Sequence, residues 1–387
     1  MPKKSRGITR LKRQNRGKVL KLAALGQATS RVELAEKANL SKMAVSNIVS
    51  EMIGHRILAD TAEQHTPVIG RNPIRVQLAS AAPKIVGVLI QHNSCQTVLC
   101  SLSLQILRTH EIRFAELTDK ALIQIVCRGI DALLRDGNPR IAGIGVGCFG
   151  PIDANRGVIL NPPDFYGIQN VPIVSILKGI YHLPVHLDNL CRGAALAENY
   201  IGLGRTYKDF IFLGITYSLG SGFVLNGNLL KGANGLTHEI GHVSIDYRGP
   251  LCSCGNRGCI RLYSSTTAIV KRIREETGLD YTFEEACRNA RKPAIDRILR
   301  EALNKLAFLM LNYANLFAPD VIVIGLEGSL LPQRYLKMLE STINSKKASQ
   351  SSHRIRVLYP YLKEKSTLLG SACNILDPIF CGLLPLY

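Results

Sequence analysis

The sequence lacks any apolar run of the roughly 18 residues that a membrane-spanning helix takes, so no membrane association is expected. It also lacks a signal-peptide pattern, because no apolar segment follows the basic opening Met-Pro-Lys-Lys-Ser-Arg. Its 11 cysteines are an odd number in irregular spacing, which argues against a secreted disulfide framework and for a reducing cytoplasm. Negative charge is scarce: 29 Asp and Glu face 48 Lys and Arg, for a net charge of +19. The surplus is uneven. Residues 1–80 hold 15 basic and 5 acidic side chains, about half of the excess in a fifth of the chain. A local excess of this kind suits a polyanionic partner. At 387 residues, 46% of them hydrophobic, the chain has material for two or three domains.

What is present is sharpest at 241–259, Gly-His-Val-Ser-Ile-Asp-Tyr-Arg-Gly-Pro-Leu-Cys-Ser-Cys-Gly-Asn-Arg-Gly-Cys. His242 is followed by three thiols, Cys252, Cys254 and Cys259. One imidazole and three thiolates form a closed tetrahedral donor set for structural zinc. Gly255 and Gly258 let the short loop bend so that the thiolates converge. The segment Glu239-Ile-Gly-His242, a gap of nine residues, then Cys-x-Cys-Gly-x-x-Gly-Cys resembles the signature of the ROK family (repressor, open reading frame, kinase). That family contains bacterial sugar kinases and sugar-responsive repressors, among them N-acetylglucosamine and xylose repressors. Repressors carry a DNA-binding domain at the N-terminus and kinases do not.

The first eighty residues read as such a domain. A helix is expected over 14–25, ended by Gly26. Ser30 and Glu33 form a capping box that opens a second helix over 31–37. Asn39 suits a tight turn. Ser41 caps a third helix that stops at Gly54. Leu34, Ala35, Leu40, Val45 and Ile48 have the spacing of a helix-turn-helix, whose second helix enters the major groove. Val45, Ile48, Val49 and Met52 form its inner stripe. Ser41, Lys42, Met43, Ser46, Asn47 and Ser50 are the candidate DNA contacts. Strands at 57–59 and 74–78 flank a turn and complete a winged helix-turn-helix. Gly70, Arg71 and Pro73 resemble the wing of ROK repressors, with Arg71 placed for a minor groove or a phosphate.

From Lys84 onward strands and helices alternate, which gives an α/β class. The resemblance implies a ROK body of two actin-like, ribonuclease H-like lobes with a cleft between them. The domains are then 1–80, the first lobe at 81–192 with 366–387 returning to it, and the second lobe at 193–365 with the zinc loop. The cleft departs from the kinase pattern. Where the family reads Val-Asp-Ile-Gly-Gly-Thr, this chain has Val88-Leu-Ile-Gln-His-Asn93. The second phosphate turn, Gly-Thr-Gly-Ile-Gly-Gly-Gly, is Thr216-Tyr-Ser-Leu-Gly-Ser-Gly222 here, and the family's Gly-Gly near adenosine is Gly325-Leu326. Aligned on Asn189 and Ala194-Ala195, the catalytic aspartate becomes Leu190, which cannot accept a proton. If this stretch is extended, Asp188 lies too far away to replace it.

Asn189, Glu239 and His242 match family positions that contact sugar hydroxyls, while Arg261 stands where the family has a glutamate. That arginine either favours an anionic ligand such as a sugar phosphate or fills the pocket; the first is the expectation. The expectation as a whole is a cytoplasmic DNA-binding regulator, a repressor with structural zinc, no catalytic residues and no membrane contact. It binds a double-stranded DNA operator as a homodimer or homotetramer and answers to a sugar or sugar-phosphate effector. The alternatives are a sugar kinase with a fused DNA-binding domain and a ligand-independent regulator controlled by a partner protein.

Overall fold

The computed structural model describes every residue except 1–2, 62–74, 136, 138, 163–164, 233–238, 349–352 and 387, with backbone alone over 3–9. The chain forms two compact units. The first takes in Met1–Cys148, Asp164–Asp188 and Ser371–Tyr387. It opens with three helices, α1 (Lys3–Ala24), α2 (Arg31–Ala38) and α3 (Lys42–Gly54), and an antiparallel pair, β1 (Leu58–Thr61) and β2 (Arg75–Leu78). Helix α1 starts well before the expected residue 14. Its first turns carry basic rather than apolar residues, so no hydrophobic period announces them.

The sheet of this unit uses β3 (Lys84–Ile90), β4 (Ser94–Cys100), β5 (Ile106–Arg113), β6 (Ile141–Cys148) and β9 (Val185–Asn189) in the order β5-β4-β3-β6-β9. Central β3 is buried from Ile85 to Ile90 and reads as an unbroken apolar run, as a strand covered on both faces must. Edge strand β5 is mostly exposed, which explains why the sequence does not advertise it. Helix α4 (Asp119–Leu134) lays Leu122, Val126, Ile130 and Leu133 inward. Its Gly129 lets Thr97 approach and donate a 3.0 Å hydrogen bond to the Gly129 carbonyl. Helix α5 (Ile173–Tyr181) follows in the same unit.

The second unit takes in Phe149–Pro163 and Asn189–Gly370. The short strands β7 (Ile152–Asp153) and β8 (Val158–Ile159) pair with each other. Its sheet holds β10 (Phe210–Ile215), β11 (Leu219–Leu225), β12 (Asn228–Leu229), β13 (Val321–Leu326) and β14 (Arg356–Leu358) in the order β12-β11-β10-β13-β14. Counting the strands of each five-stranded sheet in chain order, both sheets run third, second, first, fourth, fifth. In both, an antiparallel hairpin continues into a parallel neighbour: β3 pairs β4 and β6 as β10 pairs β11 and β13. One topology used twice is the duplicated, actin-like plan that the resemblance implied.

Helices α6 (Leu190–Ile201), α7 (Arg261–Ser264), α8 (Thr266–Thr277), α9 (Phe283–Arg288), α10 (Pro293–Phe317) and α11 (Gln333–Lys346) complete the second unit. Leu299, Leu303, Leu306 and Met310 of α10 share one buried core with Leu213, Ile215, Ile322 and Ile324 of the sheet. The last helix is α12 (Lys365–Phe380). Among the described residues no helix is long and apolar enough to cross a membrane.

Candidate functional site

The N-terminal helices show how local sequence sets a surface. Ser30 caps α2 by accepting from the Glu33 N–H at 3.2 Å. The reciprocal bond is shifted by one residue: the Glu33 carboxylate accepts from the Thr29 N–H at 2.8 Å. That backbone bond holds the Glu33 carboxyl below its usual range. Asn39 adopts the left-handed conformation (φ 53°), and the Leu40 N–H closes on the Ala35 carbonyl at 3.0 Å. Ser41 caps α3 by accepting from the Ala44 N–H at 3.2 Å. Leu34, Ala35, Ala38, Val45, Val49 and Met52 are buried between the helices. Ile48, expected on the inner stripe, is half-buried.

On the other side of α3, Lys42, Met43, Asn47 and Ser50 are exposed and Ser46 is half-exposed. Among the described residues the Lys42, Ser46, Asn47 and Ser50 side chains have no hydrogen-bond partner. The rest of the module is tied down. Arg16 of α1 forks onto Glu51 of α3 at 2.6 to 3.1 Å, and Arg31 of α2 forks onto Asp60 of β1 at 2.9 and 3.0 Å. A Cβ at Gly17 would collide with the Phe380 carbonyl, so α1 lies backbone to backbone on the end of α12. Sequence reasoning missed this glycine, because a lone glycine inside a helix carries no local signal. Arg71, the expected wing contact, lies outside the described residues, as do Gly70 and Pro73.

His242 ends a short 3-10 turn, and the loop that follows doubles back on itself. Ser244 bridges Cys259 and Leu251 bridges Arg257, while the Gly258 N–H reaches the Pro250 carbonyl at 2.9 Å. Gly258 has φ 63°, and a Cβ there would collide with the Asp246 carbonyl, so this position admits glycine alone. The four donor atoms of His242, Cys252, Cys254 and Cys259 lie within 4.8 Å of one another. Cys252 Sγ is 3.6 Å from His242 Nδ1, and Cys254 Sγ is 3.7 Å from Cys259 Sγ. Metal–sulfur bonds of about 2.3 Å and metal–nitrogen bonds of about 2.0 Å give tetrahedral edges of about 3.6 to 3.8 Å. Two of the six edges therefore match one ion of that bond length, and all four donors lie close enough to converge on it. Burial and the neighbouring thiols push the Cys259 thiol up to about 12, a repulsion that a bound cation removes.

The other candidate residues gather in the same unit. Asn189 caps α6, its Oδ1 accepting from the Cys191 N–H at 2.8 Å. Burial first, and then the Glu239 charge, raise the Cys191 thiol to about 12. Burial and then the Arg261 guanidinium lower the His242 pKa, against the opposing pull of Glu239. The charges of Glu239 and Arg261 thus both act on His242, and that of Glu239 also acts on Cys191, whose N–H donates to Asn189. Arg261 is half-buried and, among the described residues, makes no side-chain hydrogen bond or ion pair.

The positions that serve phosphoryl transfer in kinases have other tasks here. Leu190 is the first residue of α6, 8% exposed, so Asp188 to Leu190 is a strand end running into a helix rather than an extended stretch. The two glycines kept in the second turn are needed for packing. A Cβ at Gly220 would stand 2.8 Å from Cys191 Sγ, and one at Gly222 would stand 2.6 Å from the Ala195 methyl. Leu326 takes the place of a glycine yet has φ 59°, a conformation that suits glycine far better. Gln91 closes a tight turn, its N–H reaching the Ser94 carbonyl at 2.8 Å, and His92 lies among the Phe165 and Tyr166 rings. Sequence reasoning also missed the role of Glu198. This fully buried carboxylate accepts from the Leu203 and Leu362 N–H groups and the Ser366 hydroxyl at 2.7 to 3.2 Å.

A duplicated sheet topology, an N-terminal helical module and a His-Cys₃ loop define an actin-like α/β protein with a cluster of donors that could hold a metal ion. The ROK family model matches residues 85–377, and the chain belongs to the ROK family. The xylose repressor of Bacillus subtilis strain 168 is 26% identical over 380 residues, 95% of this chain and 96% of that protein. The DNA-binding transcriptional dual regulator NagC of Escherichia coli strain K12 is 26% identical over 393 residues, 97% of this chain and 95% of that protein. A solved ROK family transcriptional regulator, a homolog of the E. coli MLC protein, superposes with a TM-score of 0.83 at 23% identity, covering 97% of this chain and 98% of its own. The ROK hexokinase of Thermus thermophilus gives 0.66 at 24% identity. It is covered over 97% of its length but takes up 75% of this chain.

Proposed function

We propose that this chain is a cytoplasmic DNA-binding transcriptional repressor of carbohydrate-related genes that has kept the ROK body and given up its catalysis. Residues 1–80 act as a winged helix-turn-helix, followed by lobes at 81–192 (with 366–387) and 193–365. Ser41, Lys42, Met43, Ser46, Asn47 and Ser50 face the operator, and Arg71 serves the wing. One observation carries the reading: the outward polar side chains of α3 have no partner while its inner face is closed over the α2 core. End-to-end likeness to a xylose repressor and to NagC supports it.

His242, Cys252, Cys254 and Cys259 hold zinc. The closed set of four nitrogen and sulfur donors leaves no open position for substrate, so the ion is structural. With Nδ1 turned to the metal, His242 keeps Nε2 for the effector. Asn189, Glu239 and Arg261 complete that site, and the guanidinium selects a sugar phosphate. The protein binds its operator as a homodimer or homotetramer, because one helix-turn-helix offers too little surface for high specificity.

The test is operator binding by fluorescence anisotropy with the full chain and with residues 1–80 deleted. Binding is expected to fall with salt at a log–log slope of about −0.9 per phosphate neutralised and to vanish in the deletion. Unchanged binding by the deletion overturns the reading.

A further inference from the structure

The outward face of α3 carries information about the base pairs it reads. Met43 is 77% exposed at the second residue of the helix, a large apolar side chain held in water. Asn47 follows four residues later on the same face, exposed, and its carboxamide has no partner among the described residues. Residues four apart in a helix are stacked one above the other, about 6 Å along the axis. That is within two steps of duplex DNA at about 3.4 Å each.

The chemistry missing from this face is equally telling. Guanine is read most often by arginine on O6 and N7, and cytosine by a carboxylate on N4. Helix α3 has no arginine. Its single carboxylate, Glu51, is held by the Arg16 fork. Lys42 is the one long cation and sits at the first residue of the helix. Thymine offers a C5-methyl group to an apolar side chain, and adenine offers N6 and N7 to a carboxamide.

Resting on the DNA-binding reading above, we propose that Met43 and Asn47 together read an A·T-rich half-site. Met43 covers a thymine C5-methyl group, and Asn47 pairs in bidentate fashion with an adenine within about two base pairs of it. Burial of the Met43 side chain against the methyl supplies the discrimination. It needs no hydrogen bond, and the flexible thioether adapts to the groove.

The experiment begins with selection of operators from a random duplex pool by the full-length chain. Thymines of the enriched half-site are then replaced by deoxyuridine, which removes the methyl groups alone. Wild-type affinity is expected to fall by about five- to tenfold, one good contact's worth. Met43→Ala is expected to lose a similar factor on thymine DNA and to be indifferent to deoxyuridine. Because Met43 is exposed, its removal leaves the core intact; Asn47→Ala is expected to relax the preference at the adenine alone. A half-site enriched in G·C at these positions overturns the proposal. So does a wild-type protein that selects an operator yet binds thymine and deoxyuridine duplexes equally. If the full chain enriches no sequence at all, the DNA-binding reading falls, and this inference with it.

Discussion

The cysteine loop and the segment around Leu190 belong to the same unit and have opposite histories. In the loop four donors lie within 4.8 Å of one another, two of their edges have tetrahedral length, and Gly258 has no room for a Cβ. Around Leu190 the residues that shape the turn and the helix are accounted for by their packing. Asn189 caps α6, Gly220 and Gly222 let that helix approach β11, and Leu190 opens the helix as a largely buried aliphatic side chain. Glycines that look like remnants of a phosphate turn are kept because Cys191 and Ala195 press on them. The difference teaches that a retained motif must be asked what it touches. The loop brings together donors that could hold a metal ion, while the glycines of the turn are required by packing.

The largest effect that can break this comparison is loss of the metal. Structural zinc sites in small folded peptides contribute about 10–16 kcal/mol of apparent binding energy. Elemental analysis of purified protein is expected to find about one zinc per chain, as one closed donor set holds. Cys254→Ser is expected to lose it, and calorimetry should show the second unit melting without a cooperative transition. Gly258→Ala, which leaves every donor in place, is expected to do the same by displacing the loop. Metal-free protein with an unchanged melting profile would remove the loop from the argument.

A smaller effect is expected at Glu198, which is outside the candidate metal and ligand residues. Its carboxylate is fully buried and satisfied by three donors. Glu198→Ala leaves those donors unpaired and is expected to cost about 3–5 kcal/mol in urea denaturation. Glu198→Gln, which keeps an acceptor, is expected to cost less. Equal costs for both would mean that volume, not the hydrogen-bond network, sets the stability there.

Much of this was readable from residue spacing, and the failures share a cause. The ends of the His242 to Cys259 loop are 17 residues apart and the Ser30, Asn39 and Ser41 caps span only a few, so the sequence displays them. Glu198 acts through Leu362 and Ser366, more than 160 residues away. Gly17 is explained only by Phe380. Strand β5 lies at an edge with few buried side chains, so its period is weak. Helix α1 extends toward its N-terminus over basic residues that show no apolar stripe. Local rules see caps, loops and central strands; partners brought together by the fold stay hidden.

The Leu190 side of the comparison is sharpened by asking for the lost reaction. With ATP and glucose, mannose or N-acetyl sugars, turnover is expected at background. Leu190→Asp is expected to leave it there, although a placed general base is worth about 10²–10⁴-fold. Phosphoryl transfer depends mostly on positioning and electrostatics, and Gln91, His92 and Leu326 stand where open glycine turns are needed. Sugar phosphorylation by the wild-type chain above a heat-denatured control would overturn the non-enzyme reading.

The smallest change in fold and the sharpest in response is expected at Arg261. Its half-buried guanidinium has no ion-pair partner among the described residues and depresses the His242 pKa alongside burial. A guanidinium with no ion-pair partner among the described residues, close to a candidate ligand residue, suits a phosphate, which it can take by two parallel hydrogen bonds. A thermal-shift panel of sugars and their 6-phosphates tests this directly. A ligand at 100 times its dissociation constant stabilises by about 2.7 kcal/mol, so a true effector moves the transition visibly. Arg261→Glu is expected to abolish the shift from the phosphorylated sugar while changing operator affinity without effector by less than about twofold, because exposed or half-buried substitutions away from the DNA face cost little. If neutral sugars shift both proteins equally and phosphates shift neither, the site reads a sugar and Arg261 fills space. If nothing in the panel shifts the wild type, control by a partner protein gains ground over control by a sugar.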